Sequence, residues 1–186
     1  MKHLDIIGPG IFLIFLCLFS YLLLGEIGPI VIGGAGTGGF VLYLKTGYKC
    51  NFDTSKVIIP YLLAVVFFII HVYEEYYFGF NQIATQLSGR EVSQQSFLTF
   101  AGFFAPAMWV TGAILIIKRW SIGYYFLTFF FVAMTVAELT HFIFPFILYG
   151  EWKYTAGVAT AALPLIPAWY GLIITIRETQ KLKNEN

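Results

Sequence analysis

The chain has 186 residues, of which 59% are hydrophobic and only 11% charged, far below the roughly 25% charged fraction of soluble domains. Its net charge of +1 leaves no basic surface for nucleic acid, and its two cysteines are too few for a disulfide framework. The composition is that of an integral membrane protein, expected as one all-α domain over residues 1–186, a polytopic helix bundle in the lipid bilayer.

Six apolar stretches are long enough to span a hydrocarbon layer of about 30 Å, and they predict six transmembrane helices over residues 6–24, 28–44, 57–80, 97–117, 122–148 and 154–176. No A-x-A site follows the first stretch, so it reads as a membrane helix and not as a signal peptide. Cys17 falls inside it and reads as a free thiol, as does Cys50 in a later loop, while His3 ahead of it reads as solvated. The second stretch carries Gly33-Gly34-Ala35-Gly36-Thr37-Gly38-Gly39 without the Lys-Ser/Thr of a nucleotide loop. Gly34 and Gly38 form a G-x-x-x-G face suited to close helix approach, in the same chain or in a homodimer. So much glycine also leaves a broken or re-entrant helix open there.

Basic residues orient the bundle. With the N-terminus cytoplasmic, Lys2, Lys45, Lys49, Lys56, Lys118, Arg119, Arg177, Lys181 and Lys183 share one side, and only Arg90 and Lys153 lie on the other. That bias predicts six crossings with both termini cytoplasmic.

The third stretch contains the unusual feature, His71-Val72-Tyr73-Glu74-Glu75. At about 100° per residue, Glu74 falls roughly 60° to one side of His71 and Glu75 roughly 40° to the other, so all three share a face. The fifth stretch carries Glu138 and His141. Helices three and five run in the same direction, which places the two groups at matching depth, roughly 21–29 Å from the cytoplasmic ends. No Lys or Arg lies within the spans to neutralise the carboxylates, although Arg90 or Lys153 could fold inward. Buried carboxylates without a base must be protonated, share a proton with histidine, or bind a cation.

Three carboxylates and two imidazoles suffice for a divalent metal, with Zn, Fe or Mn suited to mixed N/O ligands. His71, Glu74, Glu75, Glu138 and His141 are the candidate metal ligands, and Glu75, Glu74 and His71 the candidate catalytic groups. Tyr73 and Tyr77 stand beside the motif as candidate hydrogen-bond donors to it. The loop at 81–95 either caps the site or is a solvated connector. Pro164 and Pro167 are expected to kink the sixth helix, and the hydrophilic tail from 178 to 186 is expected to fray.

The motif His71-x-x-Glu74-Glu75 in a polytopic chain, the later His141, and Tyr154-Thr155-Ala156-Gly157 before the last helix resemble the HXXEE-domain family. The resemblance implies a small membrane protein, in the bacterial plasma membrane, of presumed enzymatic activity, with the family's histidine and two glutamates on His71, Glu74 and Glu75 and its later histidine on His141. Glu138 stands where the family has an asparagine, and Thr155-Ala156-Gly157 where it has Asn-Pro-Gly. A carboxylate in place of an amide strengthens cation binding.

Three functions fit these residues. The first is a metal-dependent enzyme acting on a lipid or other apolar small molecule. The second is a metal-free binder or isomerase of sterol-like or isoprenoid ligands working by Glu/His acid–base chemistry, and the third a transporter of protons or divalent cations.

Overall fold

The structure is a computed structural model that describes residues 4–48 and 52–185, whose regular elements are all helices, with no strand among the described residues. Lys2, His3, Lys49 and Cys50 lie outside the described residues. Helix α1 spans Leu4–Leu24, and a π-helical turn over Pro29–Gly33 leads into α2 (Gly34–Lys45). Next come α3 (Ser55–Tyr77), a short α4 (Phe80–Ser88), and α5 (Gln94–Ile117), which is π-helical over Leu98–Phe104. Helix α6 (Ser121–Tyr149) and helix α7 (Ala162–Glu185) complete the chain.

Four of these helices, α1, α3, α5 and α6, are long and apolar enough to cross a membrane. They present large apolar side chains outward, such as Ile11, Leu18 and Leu22 on α1 and Ile59 and Val66 on α3, as a lipid-facing surface requires. The other two expected spans correspond to α2, shortened by its π turn, and α7, which contains Pro164 and Pro167 and ends in charged residues.

Helix α6 is the centre of the bundle. Its residues 123–131 are buried without interruption, with α2, α5 and α7 packed around it. The approach of α2 depends on Gly39: a Cβ there would lie 2.8 Å from the backbone nitrogen of Phe129, closer than any side chain tolerates. Thr128 Oγ1 reaches across this contact to donate to the Gly39 carbonyl at 2.8 Å. The intimate face of α2 is therefore at Gly39, whereas Gly34 is surrounded by open space.

Helix α3 packs along α7 and against α5, where Tyr61 donates to the Trp109 carbonyl at 2.9 Å. It meets α6 through side chains, with the Tyr61 ring against Phe130 and Phe131 and a polar group nearer its C-terminal end. Cys17 is a free thiol, as expected.

The C-terminal end departs from expectation in two ways. The last helix begins at Ala162 and not at 154, because the residues before it are held in another conformation by α3. It also continues to Glu185 instead of fraying from 178. There Glu178 pairs with Lys56 at 2.8 Å, Lys183 donates to the Lys45 carbonyl at 3.0 Å, and Thr179 is buried.

Candidate metal centre

His71 and Glu75 are four residues apart on the last turns of α3, and Glu138 and His141 are three apart on α6, so each helix presents its pair from one face. The matched depth expected from the sequence brings these four together. His71 Nε2 lies 3.2 Å from His141 Nε2, 3.1 Å from Glu138 Oε2 and 3.7 Å from Glu75 Oε1, and His141 Nε2 lies 3.4 Å from that same Glu75 oxygen. All four residues are buried.

The proton positions follow from the outer faces of the two rings. His141 Nδ1 faces the Ala156 carbonyl at 3.1 Å, and a carbonyl can only accept. His71 Nδ1 faces Thr160 Oγ1 at 3.0 Å, and that hydroxyl donates its own hydrogen to Glu74 Oε2. Each imidazole therefore carries its proton on Nδ1 and, when neutral, turns a bare Nε2 lone pair inward. Two nitrogen lone pairs and the oxygens of Glu75 and Glu138 converge, with no donor among them while both carboxyls are ionised. Glu138 Oε2 is buried without a hydrogen-bond partner, as are Trp109 Nε1, Tyr125 Oη and Thr155 Oγ1.

Such a group can be held together by a cation. Among the described residues, His71, Glu75 and His141 form a group whose ligand atoms all lie within 4.8 Å of one another. Its edges of 3.2, 3.4 and 3.7 Å suit an ion about 2.0–2.2 Å from each corner, for which tetrahedral coordination requires separations of about 3.3 Å. Two histidines and one carboxylate leave an open position on the ion. Glu138 approaches this group from the His71 side.

Glu74 is placed differently. Its Oε1 accepts from Tyr154 Oη and from the Ala159 amide at 3.2 Å, and its Oε2 accepts from the Thr160 amide at 2.8 Å and the Thr160 hydroxyl. Four donors occupy both oxygens, all from residues 154–160. By capturing the amides of 159 and 160, Glu74 holds this segment out of the helix that its composition suggests. Tyr154, ahead of α7, is pushed up to about 12 by desolvation and then by the Glu74 carboxylate, so its hydroxyl remains a donor. Gly157, at φ +92°, lies across the two imidazoles: a Cβ would overlap His141 and come within 3.0 Å of His71 Cε1. In the sequence Tyr154 and Gly157 stand out only as part of a motif, and Thr160, a threonine in an apolar run, gives no signal of its role.

The neighbouring residues divide as follows. Tyr73 and Tyr77 point away and are exposed, so neither touches the cluster. Neither outer base folds inward: Arg90 donates to the carbonyls of Tyr21 and Leu22, and Lys153 pairs with Glu151. The segment after α3 is helical over Phe80–Ser88, and at its start the Phe80 ring is centred 5.2 Å from that of His141, whereas no residue of 81–95 lines the cavity beside the cluster. Inside the bundle, His71, Glu75, Glu138 and His141 line one part of a cavity of about 110 Å³ whose remaining walls are apolar apart from Thr140. Glu74 does not line it.

Residues 62–170, more than half of the chain, match a family model described as a protein of unknown function with HXXEE motif. No match is found among curated proteins or among solved structures.

Proposed function

The chain belongs to the family of proteins of unknown function with the HXXEE motif, and we propose that in this member His71, His141 and Glu75 hold a divalent metal that acts on a lipid or other apolar small molecule. The observation that carries the proposal is the pair of inward Nε2 atoms at 3.2 Å, which share Glu75 Oε1 at 3.7 and 3.4 Å. Mixed nitrogen and oxygen donors without thiolate suit Zn, Fe(II) or Mn. Such an ion supplies Lewis acidity or an activated water.

Glu138, with its free oxygen beside the group, is the general base or an additional ligand. Glu74 is a positioning residue: two of its four donors are the amide and hydroxyl of Thr160, and the hydroxyl in turn fixes the His71 tautomer. Elemental analysis of protein purified from the membrane without chelator tests the reading. Stoichiometric metal, lost in His71→Ala and Glu75→Gln, is expected. Metal-free protein that takes up none of the three ions would refute it.

A second reading rests on one distance, the 3.1 Å between Glu138 Oε2 and His71 Nε2, at which a protonated carboxyl would donate to the imidazole. This is the acid–base binder or isomerase, and it predicts ligand conversion that chelators leave unchanged. A transporter would need flux across proteoliposomes, and no second buried cluster of His and carboxylate groups is present among the described residues to carry a relay.

The membrane assignment is supported by the four apolar helices. We read α2 and α7 as completing six crossings with both termini cytoplasmic, supported by the nine basic residues on that side. A homodimer through α2 would use the open Gly34, since a side chain on Gly38 would already meet Val132.

A further inference from the structure

We infer that the cavity beside the cluster is a slot for a single unbranched apolar chain, so that the substrate is a chain-bearing amphiphile whose polar group sits at His71, Glu75, Glu138 and His141. The inference rests on the reading of that cluster as the reactive centre and names the class of molecule it acts on.

The slot owes its existence to four alanines. Ala101 and Ala105 on α5, and Ala133 and Ala137 on α6, are spaced four residues apart and line the cavity from two packed helices. Larger residues at these positions would close the space. Both π-helical segments also border it, through Val31 and Phe100, and such turns displace the backbone from regular helical packing.

The slot is long and thin. On α5 its lining runs from Phe97 to Trp109, a rise of roughly 18 Å at 1.5 Å per residue. Inward of Glu138 it continues along α6 to Phe129, nine residues or roughly 13 Å further. Trp109 and Phe129 close that end, with ring centroids 4.9 Å apart. A volume of about 110 Å³ drawn out over roughly 18 Å makes a narrow space, better matched to one extended chain than to a fused-ring sterol. An apolar wall also keeps water out, so a chain in van der Waals contact with the aromatic and alanine lining is the occupant that recovers the lost contacts.

Photo-crosslinking of the full chain in nanodiscs tests this, with hexadecanoic acid carrying a mid-chain diazirine as probe, unlabelled octanoic, dodecanoic and hexadecanoic acids as competitors, and photoreactive cholesterol as a separate probe. Labelling of Met108, Trp109 and Met134, displaced best by the longer acids and lost in Ala133→Leu or Ala101→Leu, is expected. Labelling confined to outward residues such as Val110 and Ile114, or cholesterol labelling of the same slot residues, would overturn the inference. Because Ala133→Leu could misfold, the wild-type labelling map decides without it. Metal content is measured on the same samples. Metal without slot labelling overturns the chain inference and leaves the metal reading standing, whereas slot labelling without metal supports the chain inference and removes the metal reading.

Discussion

Glu74 and Thr160 are joined twice: the Thr160 amide donates to Glu74 Oε2 at 2.8 Å, and the Thr160 hydroxyl donates to that same oxygen. The hydroxyl can then only accept from His71 Nδ1. One carboxylate outside the cavity thereby sets the protonation of an imidazole inside it. Adjacent glutamates in the sequence have separate tasks, with Glu75 facing the histidines and Glu74 fastening the segment that covers them.

Replacing Glu74 by Gln puts an amide NH2 against donors and leaves part of this network unmet. A loss of about 1–3 kcal/mol is expected from the buried groups left unpaired. Faster hydrogen exchange at the Ala159 and Thr160 amides would locate the loss. Metal should still bind, weakened by about 10–100-fold as for other residues that orient a ligand. Unchanged exchange at those two amides would show that Glu74 does not hold the segment.

Gly157→Ala tests the contact between that segment and the rings. The φ of +92° disfavours any side chain, and the added methyl would overlap His141. The strain alone costs about 1–3 kcal/mol. Denaturation of the purified variant should show at least that loss, together with displaced histidines and reduced metal uptake. A variant as stable as the parent would mean that the segment sits farther from the rings.

The grasp of Tyr154 on Glu74 has a pH dependence of definite sign. Tyr154 is raised in the folded state from its ordinary value near 10 to about 12. Its contribution is therefore fully present below about pH 10 and is lost as pH rises through about 12. Hydrogen exchange at residues 159 and 160, corrected for intrinsic rates, should show protection that declines across this window. Tyr154→Phe should have lower protection throughout and no decline there.

Much of this arrangement is legible in the amino-acid sequence, and the remainder has a common physical cause. Hydropathy locates the helices, and the distribution of Lys and Arg sets directions that bring Glu138 and His141 level with His71 and Glu75. These inferences depend on composition along one helix at a time. The segment at 154–161 depends on contacts across the fold. Its apolar run and its alanines invite continuation of the last helix, and Glu74, eighty or more residues earlier, captures the amides that helix would use. The tail is likewise helical because Lys56 and the Lys45 carbonyl meet it. Nor does spacing distinguish Glu74 from Glu75, since both share the face of His71. What separates them is which has donors within reach.

The most direct test of the metal centre is X-ray absorption on the metal-bound protein, comparing the parent with His141→Ala. The account predicts nitrogen and oxygen neighbours only, with scattering from two imidazoles in the parent and from one in any metal retained by the variant. A bound ion showing no imidazole, or the same imidazole count in the parent and in His141→Ala, would contradict it.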